Sequence, residues 1–70
     1  MKEPHILYEG PVVYATRETD GAYVVSAYST NCVQHYEIAR FDKGQGDRVE
    51  SLCRRLNAYP ANTRKAYNLL

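Results

Sequence analysis

The run Asp47-Arg-Val-Glu-Ser-Leu-Cys-Arg-Arg-Leu-Asn-Ala-Tyr-Pro60 constrains this chain more than any other segment, because it reads as one amphipathic helix with both ends marked. Val49, Leu52, Cys53 and Leu56 fall at i, i+3, i+4 and i+7, an apolar stripe at the helical period. Asp47 is placed to cap the first turn, and Glu50, three residues on, to reach back to the cap's own N–H. Pro60 cannot continue the ladder and disfavours helical geometry at Tyr59. No other segment is a helix strong enough to act as a lid, so the residues before it must supply the surface it covers.

Those residues read as strands. Val12 to Glu18 is rich in β-branched and aromatic side chains. Asp20-Gly21 suits a two-residue hairpin turn with positive φ at both positions. Ala22 to Ser29 follows as a second strand, Thr30-Asn31 as a second turn and Val33 to Phe41 as a third strand. A short extended lead-in at residues 5–9 can add an edge strand. Lys43-Gly-Gln-Gly46 leads into the helix, and after Pro60 Asn62 is placed to cap a short tail helix, Thr63–Leu69, with Ala66 and Leu70 (or Leu69) packing back. The expected fold is therefore α+β: a three-stranded antiparallel meander, one amphipathic helix on one face and a short C-terminal helical tail.

At 70 residues the chain makes a single small domain, 1–70, burying only roughly 60% of its unfolded surface. An apolar share of 44% with 24% charged residues argues against general disorder. Tyrosine stands out, with seven Tyr against one Phe and no Trp. Its apolar ring and polar tip suit half-buried sheet faces and binding surfaces alike. The N-terminus has no signal-like apolar core and no run approaches a membrane span, so a cytoplasmic protein with reduced thiols at Cys32 and Cys53 is expected.

A two-residue Asp20-Gly21 loop sets Thr16 opposite Val25 and Tyr14 opposite Ala27; continuing, Val25 opposes Tyr36 and Tyr23 opposes Ile38. The helix is then expected on Val12, Tyr14, Thr16, Tyr23, Val25, Ala27, Tyr36 and Ile38. The other face carries Val13, Ala15, Arg17, Val24, Ser26, Tyr28, His35, Glu37 and Ala39. One helix covers one side of a sheet, and a fully solvated side is normally plainly polar. Val13, Val24 and Tyr28, rimmed by His35, Glu37 and Arg17, are therefore expected as an exposed apolar patch suited to a protein partner.

Chemistry-bearing sets are weak. Cys32, His35 and Cys53, with His5, are the soft metal ligands, but Cys53 belongs to the core stripe, so no metal or other cofactor is expected. The acids lack paired spacing, and the Gly44-Gln45-Gly46 run lacks the Lys-Ser/Thr of a phosphate loop, so no catalytic residues are assigned. Net charge is +1, but unevenly spread. Residues 1–50 hold five Lys/Arg and eight Asp/Glu, net −3; residues 51–70 hold Arg54, Arg55, Arg64 and Lys65 without an acid, net +4. Arg48 and Arg55, seven apart, share a helix face, which makes the basic C-terminal third a second candidate surface, toward nucleic acid.

Ala22–Ser29, Val33–Phe41 and Val49–Tyr59 together resemble small phage and prophage accessory proteins, in which a short antiparallel sheet precedes a helix. Ile38-Ala39 and Leu56-Asn57-Ala58 are the pieces that carry the resemblance. It implies a class that includes anti-CRISPR inhibitors, with no functional residue to carry over. The expectation is a non-enzymatic protein-binding module, a phage-encoded inhibitor that occludes a host defence complex in the host cytoplasm. Its interaction residues are Val13, Val24, Tyr28, His35 and Glu37, then Arg48 and Arg55. Nucleic acid, bound through the basic C-terminal third, is the alternative partner and less favoured than a host protein. A second copy of the chain, burying the open sheet face on itself, is a further candidate, and no membrane is involved.

Overall fold

A computed structural model describes residues 5–29 and 34–69. The Thr30-Asn31 turn, Cys32 and Leu70 of the sequence reading lie outside the described residues. The elements run β1 (His5–Glu9), β2 (Val13–Arg17), β3 (Tyr23–Tyr28), β4 (His35–Phe41), α1 (Gly46–Ala58) and α2 (Pro60–Ala66). The strands form one antiparallel sheet in the order β1-β2-β3-β4, a meander of four strands rather than three. The extended lead-in supplies the fourth: β1 pairs with β2 from His5↔Arg17 to Glu9↔Tyr14, with a bulge between Ile6 and Tyr8.

The chain can turn from β1 into β2 because α1 secures the corner. Asn57 Oδ1 accepts hydrogen bonds from the backbone N–H of Val12 (3.0 Å) and Val13 (2.9 Å), and its Nδ2 donates to the Val13 carbonyl (3.1 Å). These groups sit against buried residues and have to be paired. Asn57 comes so close that a Cβ on Gly10 would lie 2.1 Å from its Nδ2, so any side chain there has to displace the amide from these bonds.

The β2–β3 register differs from expectation by one residue. Ala15 opposes Val25, Val13 opposes Ala27 and Tyr14 opposes Ser26. The cause is the loop. Glu18 N–H bonds the Ala22 carbonyl (2.8 Å), Gly21 N–H bonds the Glu18 carbonyl (3.0 Å), and Asp20 Oδ1 accepts from Ala22 N–H (3.0 Å). Gly21 takes positive φ (95°) and Asp20 does not. The turn therefore spans Thr19-Asp20-Gly21, three residues instead of two. One added loop residue slides the strand by one, and with a side-chain period of two the whole of β2 changes face. Val13 and Ala15 lie under the helix, and Tyr14 and Thr16 face away.

The β3–β4 register also differs: Tyr23 opposes Phe41, Val25 opposes Ala39 and Ala27 opposes Tyr36, with a bulge at Ile38. The helix stripe behaves as the spacing predicts. Val49 and Cys53 are buried, and Leu52 and Leu56 pack at the margin of a core formed with Val12, Val13, Ala15, Val25, Ala27 and Leu69. Helix α1 bears chiefly on β2, with β3 and β1 beside it, leaving β4 outside its main footprint.

The helix ends are built differently from the expected caps. Helix α1 starts at Gly46 after Gln45, without a side-chain cap. The Gln45 side chain instead accepts from Asp42 N–H (3.1 Å), and Glu50 pairs with Arg54 (3.1 Å) rather than with the first turn. Pro60 ends α1 and at once begins α2, which spans Pro60–Ala66 rather than Thr63–Leu69. A first helical residue needs no N–H partner, so proline suits that position. Buried Thr63 donates its hydroxyl to the Leu56 carbonyl (2.6 Å), tying α2 to α1. Asn68 then takes positive φ (56°), Asn68 N–H bonds Lys65 O (3.3 Å) and Leu69 N–H bonds Arg64 O (2.9 Å). This left-handed cap turns Leu69 into the core.

Candidate interaction surface

The face of the sheet away from α1 carries Tyr14 and Thr16 from β2, Val24, Ser26 and Tyr28 from β3, and His35, Glu37 and Arg40 from β4, as the pairings and strand alternation require. The centre of this face is aromatic. The Tyr14 and Tyr28 ring centroids lie 4.9 Å apart, and His35 stands edge-on to both, at 5.4 and 5.0 Å. Such offset and edge-to-face contacts are the favoured arrangements of rings. The polar tips are also engaged. The Tyr14 hydroxyl is 2.7 Å from His35 Nδ1, and the Tyr28 hydroxyl donates to Glu9 Oε2 (3.2 Å). The three rings are thereby oriented before any partner arrives.

Around them runs a charged rim. Glu37 and Arg40 form an ion pair at 2.9 Å, and the hydrogen bond and charge of Glu37 raise the Arg40 pKa above its ordinary value. Glu9 and Glu37 against Arg40 make these rim charges net −1, which does not favour a phosphate backbone on this side.

Of the residues the sequence assigned to interaction, Val24, Tyr28, His35 and Glu37 share this face. Val13 does not: it is fully buried in the core under α1, its backbone held by Asn57, because the three-residue loop reversed the parity of β2. Val24 lies on the expected side but is only 5% exposed, so it forms a floor beneath its neighbours rather than an apolar patch. Tyr14 is the contributor that sequence reasoning put in the core, and Glu9 and Arg40 were also missed. The signal that would have placed Tyr14 is the turn length: a Glu-Thr-Asp-Gly-Ala run fits a turn closed by glycine at its third loop position.

Arg48 and Arg55 lie on α1, where they border an open groove with Phe41, Asp47, Ser51 and Leu52. They are on the helix side and add nothing to the aromatic face. Arg54 is occupied by Glu50, and Arg64 reaches the Pro11 carbonyl (3.5 Å). The basic residues of the C-terminal third are thus partly spent on internal contacts.

Of the thiol–imidazole set, Cys32 and the His5 side chain lie outside the described residues, and the other two stand on opposite sides of the sheet. Cys53 is buried beneath it and His35 is exposed above it, so the two cannot share a ligand. Burial raises the Cys53 thiol pKa, which suits a small core hydrophobe rather than a nucleophile. Tyr8, on the helix side, has its phenol pKa raised by desolvation first and then by Glu50. Among the described residues no helix is long and apolar enough to cross a membrane. The chain matches no protein-family model, no curated protein and no solved structure.

Proposed function

We propose that this chain is a non-enzymatic protein-binding module whose contact surface is the Tyr14–Tyr28–His35 cluster with its Glu9, Glu37 and Arg40 rim. The observation that carries this reading is the mutual fixing of the three rings on the side of the sheet that α1 leaves open. Rigid aromatic area with hydrogen-bonding tips gives binding energy at small entropic cost, and such residues dominate the centres of protein interfaces. The mixed rim suits charge pairing at a partner's edge. The resemblance to phage accessory proteins makes a host defence complex the first partner to test, with steric occlusion as the mode of inhibition.

The test compares capture from host lysate by the intact protein and by two double variants of unchanged circular dichroism. Tyr14→Ser with Tyr28→Ser is expected to lose the captured complex, since removing one central tyrosine weakens binding by about 2 kcal/mol, about 30-fold. Arg48→Glu with Arg55→Glu is expected to retain it. Retention by the tyrosine variant, or loss only in the arginine variant, overturns the assignment of the face. Capture of nucleic acid with a steep salt dependence would move the function to the basic C-terminal third.

A further inference from the structure

The strand order leaves β4 as an edge, paired among the described residues with β3 alone. An edge strand offers a row of unpaired backbone groups to any other strand, and proteins guard such edges with charges and bulges. Here β4 has both, in an arrangement that is specific. Its run Tyr36-Glu37-Ile38-Ala39-Arg40-Phe41 is aromatic, acid, apolar, apolar, base, aromatic. Read backwards, it places aromatic against aromatic, acid against base and apolar against apolar.

The bulge makes this pattern usable in three dimensions. Ile38 and Ala39 both pack toward the core, and Tyr36 and Phe41, paired with Ala27 and Tyr23, share their side. Glu37 and Arg40 both stand on the opposite side, as their 2.9 Å ion pair shows, although residues three apart on a regular strand point opposite ways. A twofold axis normal to the sheet keeps each side chain on its own face. In a regular strand, pairing residue 37 with residue 40 of a second copy would set opposite faces against each other. With the extra residue at position 38 the faces match along the whole run.

We propose that β4 is a self-complementary edge through which two copies of this chain join, antiparallel, about a twofold axis between Ile38 and Ala39. Glu37 of each copy faces Arg40 of the other on the open side. Tyr36 of each, 43% exposed, faces Phe41 of the other on the helix side, beside the open groove that half-buried Phe41 lines with α1. The four charges alternate around the axis, so the groups that repel foreign strands are satisfied by this one. The product is a continuous eight-stranded sheet with an aromatic cluster on the same face of each half. The pairing does not depend on that face binding a foreign partner.

Sedimentation equilibrium of the intact chain from about 1 µM to about 1 mM tests this. The mass is expected to rise from 8.0 kDa toward twice that value. Glu37→Arg alone places Arg against Arg, and Arg40→Glu alone places Glu against Glu, so each is expected to stay monomeric. Mixed in equal amounts, the two variants are expected to regain the doubled mass, because each then faces its opposite. The mixture separates contact between chains from the ion pair within one chain, which both substitutions break. Hydrogen exchange of the wild type supplies a readout independent of mutant folding, with Tyr36–Phe41 amides more protected at high concentration. A wild type that stays at 8.0 kDa, a mixture that stays monomeric, or concentration-dependent protection in β1 instead of β4 overturns the proposal.

Discussion

Replacing Asn57 by alanine removes three hydrogen bonds at once and leaves the N–H groups of Val12 and Val13 and the Val13 carbonyl without that partner. Each orphaned buried group costs about 1–3 kcal/mol. Asn57 is itself only half-buried, so water reaches part of the corner and the low end applies, about 3 kcal/mol in all. A domain of this size is stable by about 4–10 kcal/mol, so the loss is a large fraction of the whole. In urea, with a slope near 1 kcal/mol per molar, the midpoint is expected to fall by about 3 M. Gly10→Ala provides the internal control. Its methyl group would sit 2.1 Å from Asn57 Nδ2 and has to displace the amide, so it is expected to lose about 2 kcal/mol in the wild type. In the Asn57→Ala background the obstacle is gone, and the same change is expected to lose less than about 0.5 kcal/mol. Unfolding followed by far-ultraviolet circular dichroism gives all four values of the cycle. If Asn57→Ala shifts stability by under about 1 kcal/mol, or Gly10→Ala is equally harmful in both backgrounds, the corner is not held as described.

Two further outcomes follow from other parts of the fold. Cys53 is expected to resist thiol reagents in the native protein and to react fully in denaturant. Its raised folded pKa favours the protonated form, so its contribution to stability is complete below the ordinary thiol value of 9.0 and is lost as pH rises through the folded value, which urea melts at increasing alkaline pH would detect. A native thiol that reacts at the rate of the unfolded one would contradict the buried placement. At Asn68, whose φ is 56°, glycine is expected to be neutral or slightly stabilising and valine to be destabilising by about 1–2 kcal/mol; equal melting temperatures for the two would show that the left-handed cap is absent in solution.

The sequence by itself determined the elements whose signals are local. The stripe of Val49, Leu52, Cys53 and Leu56 marked the helix and its buried side, Pro60 marked its end, and the strands were found to within a residue or two. Glycine and aspartate marked the β2–β3 turn, though not its length. The register was not local, and the site depends on the register. Both faces of β2 carry residues that suit burial, Val13 and Ala15 on one and Tyr14 with the β-branched Thr16 on the other, so alternation alone cannot choose between them. Tertiary packing chose. Ala15 and Ala27 are fully buried small side chains over which a helix can approach the sheet, while Tyr14 and Tyr28 would hold it away. The same choice gathered the rings on the free side, and the bulge at Ile38 set Glu37 beside Arg40. A single residue in a turn or a bulge reverses every side chain beyond it, and its placement is decided by what the whole core can close over.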